Sequence, residues 1–296
     1  MATTDPAVRV SNLRKGFGDS PVLDGIDFEV PRGEITLLMG PNGVGKTILL
    51  SCIAGGLRAD AGEIAVFGES PEQADTAMNF MLQDAMLVDE LSGRENVAFF
   101  RDLHPQATGE WRSILEQLSF DMDALDRSVG DYSGGMKRKL EFAITLSADV
   151  PLLLLDEPTA ALDMTTVDTV HSILTARRDA GNTVLMSSHL PGDTGLADRL
   201  VLLDESGLVA VGSPGSLLEA VPDVVRTEGA VDGVREHVQA GRFFETDATR
   251  RGFLRPAVDA ATVESVGGGP GTRIEVADPT YTDLFNYYVH VADTTG

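Results

Sequence analysis

The sequence predicts an α/β fold with a mixed, largely parallel core sheet, an antiparallel β subdomain and an inserted helical subdomain. The apolar segments "EITLLMG", "PLLLLDE" and "NTVLMSSH" are continuous rather than alternating, as expected for parallel strands that are covered on both faces. Longer helix-like segments separate them, which is typical of α/β proteins. The opening segment, from "VRVSNLRKGF" to "IDFEVPRGE", alternates between apolar and polar residues and indicates antiparallel strands beside the core.

The inserted helical subdomain is predicted at about residues 84–134, and residues 92–128 look helical throughout. Ser92 and Glu95 fit a capping box that opens "SGRENVAFFRDL", and "GEWRSILEQLSF" follows. This block interrupts the α/β core between two predicted strands.

The pattern changes after about residue 222, so we predict one large domain at 1–222 and a small α+β appendage at 223–296. In the appendage, "VVRTEGAVDGVREHVQAG" predicts a strand and then a helix. The segment "VESVGGGPGTRIEVADP" predicts a hairpin with a glycine-rich loop, and "PTYTDLFNYYVHV" predicts a final helix.

The charge of the chain limits its partners. Asp+Glu 46 against Lys+Arg 23 gives a formal net charge of -23, so we expect no nucleic acid partner, because phosphate backbones would be repelled. Acidic excess with few lysines indicates a salt-loaded cytoplasm such as that of a halophilic archaeon, since at about 1 M salt the Debye length falls to roughly 3 Å. An acidic protein of an ordinary cell is the alternative.

The location of the protein is predicted from what the sequence lacks. A single cysteine, Cys52, rules out an internal disulfide and suits a reducing interior. The start "MATTDPAVRV" does not have the build of a signal peptide, and no apolar stretch approaches the roughly 18 residues that a membrane helix needs. We therefore expect a cytoplasmic protein that reaches the inner face of the membrane only through another polypeptide.

The segment "GPNGVGKT" fits the phosphate-loop pattern, and it lies between an apolar strand and an apolar helix. Its glycines let backbone N–H groups surround a phosphate, and the following helix presents its positive end. Lys46 would add a charge for the β- and γ-phosphates, and Thr47 a hydroxyl for Mg²⁺. A chance glycine-rich turn is the alternative. The predicted ATP-binding residues here are Gly40, Pro41, Asn42, Gly43, Val44, Gly45, Lys46 and Thr47.

Two carboxylates end the buried segment "LLLLDEP". Asp156 would hold Mg²⁺ through its water shell, and Glu157 would act as the general base that polarises the attacking water. An ordinary Asp-Glu turn is the alternative, but a neighbouring phosphate loop favours the catalytic interpretation.

These motifs, together with "YSGGMKRKL", resemble the nucleotide-binding subunit of an ATP-binding cassette (ABC) transporter from about residue 8 to 215. The resemblance implies a P-loop NTPase fold of the ABC type. The stretch itself resembles the family signature, usually Leu-Ser-Gly-Gly-Gln, with Tyr132 and Met136 at the outer positions. Met136 lacks the hydrogen bonds of the usual Gln, but Met is familiar there in exporters, so we expect no loss of activity.

The resemblance implies that this signature turn caps the ATP held by a second subunit, so that two subunits clasp two ATP molecules head to tail. Ser133 can donate to the γ-phosphate, and Gly134 and Gly135 leave no side chain to block backbone approach. The helix that starts there aims its positive end at the anion.

Two of the scarce lysines, Lys137 and Lys139, follow the signature turn directly. They could contact phosphate, or they could pair with Asp131 or Glu141. Because lysines on a helix surface are usually solvated, we expect the helix end rather than the ammonium groups to supply the attraction.

Other family positions match residue by residue. His189 in "MSSHL" matches the switch histidine that contacts the γ-phosphate and positions the catalytic water; a structural histidine is the alternative. Gln83 in "FMLQDAM" matches the glutamine that meets Mg²⁺ and water, so the implied metal-binding set is Thr47, Gln83 and Asp156. A plain polar loop residue is the alternative for Gln83.

Two further positions concern the dimer interface and the adenine ring of ATP. Asp163 in "AALD" matches the loop that crosses the interface, although Ala160 replaces the frequent Ser. Phe17 in "RKGFG" matches an aromatic residue that stacks on adenine; a core position is the alternative. The segment "LPGDTGLADRL" after the switch histidine is rich in Pro and Gly, and we expect it to shorten the helix that normally follows.

The resemblance therefore implies an ATPase subunit that powers a membrane transporter, with Mg²⁺, as a homodimer or beside a homologous subunit. Separate permease subunits would insert a coupling helix into a groove of the helical subdomain. Phe99, Phe100 and Trp111 are expected to pack that subdomain, and the sequence does not identify the surface residues that contact the permease. The "YSGGM" variant and the appendage resemble exporters of the daunorubicin-resistance type. A soluble ABC-type ATPase in ribosome handling or DNA repair, and a nucleotide sensor without turnover, are the alternatives.

Overall fold

The computed structural model describes residues 5–83, 86–228, 231, 233–246, 249–256, 258–265 and 273–292. The chain divides into two compact units, Met1–Leu208 and Val209–Gly296. The domain boundary near residue 222 stays a prediction. Over the described ranges, no helix has both the length and the apolar character that crossing a membrane requires.

The first unit contains the elements of the predicted α/β core and of the inserted helical block. Its strands are β1 (Val8–Phe17), β2 (Ser20–Val30), β3 (Ile35–Met39), β4 (Ala61–Val66), β5 (Met78–Met81), β6 (Leu152–Asp156), β7 (Thr183–Ser188) and β8 (Arg199–Asp204). Strand β9 (Gly207–Gly212) begins in this unit and ends in the next. Its helices are α1 (Lys46–Ile53), α2 (Gly93–Leu103), α3 (Trp111–Gln117), α4 (Gly134–Leu146) and α5 (Met164–Asp179).

The largest sheet has six strands in the order β5-β6-β7-β3-β8-β9. Its neighbours from β5 to β8 are parallel, and every residue of β3, β6 and β7 is buried. Continuous apolar strands are expected in such a sheet, because its strands are buried on both faces. The prediction of a largely parallel core is confirmed.

The opening segment forms the predicted antiparallel sheet, with strand order β2-β1-β4. Val8 pairs with Val30 of β2 and with Val66 of β4. Val8, Val10 and Leu13 of β1 are buried in the same hydrophobic core as residues of α1, and exposed residues lie between them, which explains the alternating sequence. This sheet therefore packs on the core helix that follows the phosphate loop.

The helical block lies between β5 and β6 in the chain, as predicted. Ser92 caps α2, and both hydrogen bonds of its capping box with Glu95 are present. After α3 the chain forms short 3-10 helices at Met122–Asp126 and Val129–Asp131. The block ends where α4 begins, at Gly134.

The second unit contains a four-stranded sheet of order β11-β12-β10-β13. Its strands are β10 (Val224–Glu228), β11 (Phe244–Thr246), β12 (Thr249–Phe253) and β13 (Arg273–Ala277), and its helices are α6 (Pro214–Glu219), α7 (Ala260–Ser265) and α8 (Tyr281–His290). Strand β10 and the final helix α8 are as predicted. Strands β11 and β12 were not predicted.

The predicted hairpin over 263–279 is wrong at its start. Asp259 accepts a hydrogen bond from the Thr262 N–H at 2.7 Å, and this cap begins a helix instead of a strand. Strand β13 pairs with β10, where Val225 lies opposite Val276. The glycine-rich loop of that predicted hairpin falls outside the described residues.

The predicted helix after β10 is also wrong. Short 3-10 helices replace it at Arg235–His237 and Gln239–Gly241. Ala240 and Gly241 both have positive φ, 52° and 60°, and a backbone in that left-handed region cannot continue a right-handed helix.

Candidate functional site

The carboxyl ends of neighbouring parallel strands bring the predicted chemical residues to one edge of the six-stranded sheet. Met39 at the end of β3 lies opposite Ser188 at the end of β7, and Asp156 at the end of β6 lies opposite Ser187. Because parallel strands end at the same edge, the loops that follow them meet there. The predicted residues in those loops, after β3, β5, β6 and β7, are Lys46, Gln83, Glu157 and His189.

Lys46 folds back over its own phosphate loop. Its Nζ donates to the carbonyl oxygens of Gly40 at 2.8 Å and Pro41 at 3.0 Å, and the side chain is 5% exposed. Gly45, which precedes α1, has φ 102°, and a Cβ there would lie 2.9 Å from side chains of β2. Both the backbone conformation and the packing therefore require glycine at this position.

Thr47 lies beside the buried carboxylate of β6. Its Oγ1 donates to Asp156 Oδ2 at 2.6 Å and lies 3.4 Å from Gln83 Oε1. Asp156 is fully buried, and its other oxygen accepts a hydrogen bond from the Ser187 hydroxyl. A hydroxyl, a carboxylate and an amide oxygen form a donor set that suits a hard cation.

Glu157 is held in an uncommon backbone conformation. Its φ of 49° lies in the left-handed region, which costs a non-glycine residue about 1–3 kcal/mol and persists only where the surroundings enforce it. The Glu157 N–H donates to Ser187 Oγ at 2.9 Å. Its Oε1 lies 3.1 Å from His189 Nδ1, and its Oε2 accepts a hydrogen bond from Gln83 Nε2 at 3.5 Å. The predicted base and its predicted partners are therefore in contact.

The charges at this edge are coupled. Lys46 Nζ lies 3.9 Å from Glu157 Oε1, and both side chains are largely buried. Burial lowers the pKa of the Lys46 ammonium below its usual value, while the carboxylates of Glu157 and Asp156 oppose that shift. Because burial disfavours the isolated charge, a further anion at this position would favour the protonated lysine.

The signature turn is a helix N-terminus that faces outward. Ser133 caps α4, its Oγ accepting a hydrogen bond from the Met136 N–H at 3.2 Å. Ser133 and Gly134 are exposed, and a Cβ on Gly134 would meet nothing within 4 Å. This end of the helix is thus accessible to a ligand or another chain, as a partner-facing anion site would need.

The two lysines after the turn have partners that the sequence did not reveal. Lys137 Nζ donates to Asp89 Oδ1 at 2.6 Å, and Lys139 Nζ donates to the Leu118 carbonyl at 2.8 Å. These partners differ from Asp131 and Glu141, the alternatives that the sequence offers. Both lysines therefore attach α4 to the helical block.

Asp163 and Phe17 lie at exposed positions. Asp163 caps α5, and its carboxylate accepts hydrogen bonds from the Thr166 N–H and hydroxyl, both at 2.9 Å. These bonds lower the pKa of Asp163 below its usual value. Phe17 is 51% exposed at the end of β1, and Lys15 Nζ lies 5.4 Å from its ring centroid. The alternative of a core position for Phe17 is wrong.

Sequence reasoning missed the buried carboxylate of Asp193, which follows His189 in the chain. Asp193 is 1% exposed and accepts hydrogen bonds from the Thr159 and Ser188 hydroxyls at 3.0 and 2.5 Å, with His171 Nε2 2.8 Å away. Burial would raise the pKa of Asp193, but these three partners together lower it below its usual value. As predicted, the surrounding segment Pro191–Leu196 forms only a 3-10 helix.

Sequence reasoning also missed Arg138, a buried arginine on α4. Its guanidinium contacts backbone carbonyls from the segments that carry Gln83 and Glu157. The only local signal was Glu141, three residues further along, because charges with that spacing share a helix face.

The helical block forms, together with residues of β5 and α4, a cleft of about 230 Å³. It is mostly apolar, and Glu141 is among the residues that line it. Phe100 and Trp111 line this cleft rather than filling the interior, while Phe99 is 45% exposed. A concave apolar surface of this kind suits an inserted helix of a partner.

The chain is similar to known proteins of one family. The family described as ABC transporter matches residues 23–160. A daunorubicin resistance ATP-binding protein of Streptomyces coeruleorubidus is 35% identical over 221 residues, covering 72% of this chain and 70% of that protein. The Nod factor export ATP-binding protein I of a Rhizobium species is 34% identical, covering 72% and 73%.

Solved structures agree on the fold. The dimeric structure of a bacterial ABC transporter cassette has a TM-score of 0.65 and 20% identity, covering 70% of this chain and 98% of that one. The sequence relatives show the family as well as the fold, since their identity to this chain extends over most of both chains. This chain belongs to the ATP-binding subunits of ABC transporters, ATPases that hydrolyse ATP to power transport.

Proposed function

We propose that this chain is the ATPase subunit of an exporter and acts as a head-to-tail pair of copies attached to separate membrane-spanning permease subunits. One contrast within the chain carries the proposal. The groups suited to hold and hydrolyse a triphosphate meet at one sheet edge, whereas the Ser133 turn is an exposed helix end. A second copy that brings its own turn to the sheet edge would complete the site.

Binding of ATP rests on the phosphate loop and α1. The N-terminus of α1 directs backbone N–H groups at the phosphates, and Lys46 supplies a charge that the anion itself would favour. Phe17, exposed at the end of β1, would stack on the adenine ring. The glycines of the loop allow the backbone to approach the phosphates closely.

Hydrolysis rests on Glu157 as the general base. Its carboxylate would take the proton of the attacking water, and His189, 3.1 Å away, would hold the carboxylate and contact the γ-phosphate. Thr47, Gln83 and Asp156 would hold Mg²⁺, which when bound neutralises charge developing on the phosphates. The chain's own groups orient and deprotonate the water.

The second copy would supply the turn that caps the γ-phosphate. Ser133 would donate to that phosphate, and Gly134 and Gly135 would admit it to the positive end of α4. Asp163, exposed at the start of α5, would lie at the interface between the copies. Closing the pair around ATP and reopening it after hydrolysis would then drive the permease.

The relatives named for drug resistance and Nod factor export support export rather than a soluble role in ribosome handling or DNA repair. The cleft of the helical block supports a permease contact, because its apolar lining suits an inserted helix. The net charge of -23 likewise disfavours nucleic acid. We also propose that the appendage beginning near residue 223 is a separate domain of the kind that the daunorubicin-resistance-type exporters carry.

The test is Glu157→Gln in the full chain, with the exposed Glu219→Gln as its matched control. We expect the Glu157 variant to keep ATP affinity, to lose turnover by about 10²- to 10⁴-fold and to elute as a dimer with ATP. Glu219→Gln should behave as wild type. Turnover at the wild-type rate in Glu157→Gln would refute the base assignment, and a monomer with bound ATP would refute the pairing.

A further inference from the structure

Arg138 joins three segments of the site through one buried side chain. It is 5% exposed, and it donates from Nη1 to the carbonyl oxygens of Leu82 at 2.8 Å and Gln83 at 3.2 Å. From Nη2 it donates to the carbonyl oxygens of Asp156 and of Glu157, the latter at 2.5 Å. One guanidinium therefore links α4 to the Gln83 segment and to the end of β6.

These bonds act where the backbone is strained. Glu157 has φ 49°, a conformation that surrounding contacts must enforce. Ser187 holds its N–H at 2.9 Å, and Arg138 holds its carbonyl. Since the peptide groups on both sides of Glu157 are fixed, the direction in which its side chain leaves the backbone is fixed with them.

The charge of Arg138 is balanced by Glu141 on the same helix. Arg138 Nη1 lies 3.1 Å from Glu141 Oε2, and both side chains are buried. Glu141 Oε1 also accepts a hydrogen bond from the Met86 N–H at 3.2 Å, and Glu141 lines the cleft of the helical block. The pair thus extends from the cleft to the backbone of Glu157.

We propose that Arg138 is a positioning residue that couples the signature turn to the hydrolytic groups of the same chain. This inference rests on the proposed pairing of two copies. Helix α4 begins at the turn that would cap the partner's ATP, and Arg138 lies on the second turn of that helix. When α4 moves onto the partner's nucleotide, the Arg138 guanidinium moves with the helix. Its hydrogen bonds then shift the backbones of Gln83 and Glu157. Each site is then set for hydrolysis by the ATP of the other.

The experiment uses the full 296-residue chain and measures kcat, KM, the Hill coefficient for ATP and the unfolding temperature. One variant is Arg138→Lys, which keeps the charge beside Glu141 but lacks the planar fork that reaches several carbonyls. The other is the pair Arg138→Met with Glu141→Gln, which leaves no uncompensated buried charge. The control is Lys139→Met, whose ammonium donates to the Leu118 carbonyl in the helical block.

We expect both Arg138 variants to lower kcat by about 10- to 100-fold, the loss typical of misplaced catalytic groups. KM should change by no more than about twofold, because the phosphate loop is untouched, and the Hill coefficient should fall towards that of independent sites. Lys139→Met should keep the wild-type kcat and Hill coefficient. If the double variant does not fold, Arg138→Lys decides.

The proposal is overturned if Arg138→Lys retains the wild-type kcat and Hill coefficient, since charge balance alone would then explain the arginine. It is equally overturned if Lys139→Met loses as much as the Arg138 variants. A wild-type chain that hydrolyses ATP without cooperativity refutes the pairing of copies and this coupling together. A cooperative wild type beside unchanged Arg138 variants refutes the coupling alone.

Discussion

The sheet edge and the signature turn both carry residues predicted to contact phosphate, but their surroundings differ. At the sheet edge, Lys46, Asp156 and Glu157 are all less than a tenth exposed and bonded to neighbouring segments. At the turn, Ser133 and Gly134 are exposed. The comparison indicates that one half of the site is preformed within the chain and that the other half is complete only against a second copy.

The largest effect is expected at the preformed half. Lys46→Ala should weaken ATP binding by about 10- to 100-fold, because a hydrogen bond to a charged group contributes about 1.5–3 kcal/mol, and turnover should fall with it. Equilibrium binding of ATP and steady-state turnover measure both effects. Unchanged affinity would mean that the buried ammonium does not meet the phosphates.

A different loss is expected at the outward half. Ser133→Arg should leave ATP binding to the single chain within about twofold of wild type but lower turnover by about 100-fold, since the missing contact forms only in the reacting state. The control is Ser213→Arg, because Ser213 caps α6 with the same 3.2 Å hydrogen bond and the two variants lose equivalent caps. Equal loss of turnover in both variants would assign the effect to capping and contradict the comparison.

A smaller effect concerns the packing behind the sheet edge. Asp193→Asn should lower the free energy of unfolding at neutral pH by about 1–3 kcal/mol, because a buried charged acceptor is lost. Asp131→Asn, an exposed carboxylate beside the turn, should change it by less than about 0.5 kcal/mol. Urea unfolding of both variants measures the difference.

The pH dependence of that loss has a definite sign. The pKa of Asp193 is lowered in the folded state, so its stabilising contribution is fully present above the unfolded pKa of about 3.9. It is lost as pH falls through the folded pKa. The gap between wild type and Asp193→Asn should therefore narrow below about pH 4; a gap that stays constant there would contradict the charged role of Asp193.

The same comparison explains what the sequence could predict. The phosphate loop, the Asp156–Glu157 pair and the signature turn are contiguous motifs, so their residue types and spacing identify them. The meeting of the phosphate loop with the Asp156–Glu157 pair at one edge follows from the rule that parallel strands end together. The fold of the first unit was therefore predictable in order and class.

Residues that act through distant contacts were not predictable. Arg138 looks like a surface residue of a basic stretch, and only the fold brings it to the carbonyls beside Glu157. Asp193 likewise receives its partners from three separate segments. In the second unit, β13 pairs with β10 rather than with a sequence neighbour, and local pattern cannot identify such a partner.

The most direct test mixes two inactive chains. Lys46→Ala disables the phosphate loop, and Ser133→Arg disables the turn, so a head-to-tail pair formed from one of each contains one damaged site and one intact site. The account predicts that each variant alone is nearly inactive and that ATP turnover of an equal mixture exceeds the sum of the separate variants. It should stay below that of wild type, because the intact site loses the coupling that Arg138 provides. Turnover of the mixture equal to the sum of the separate variants would contradict a site shared between two copies.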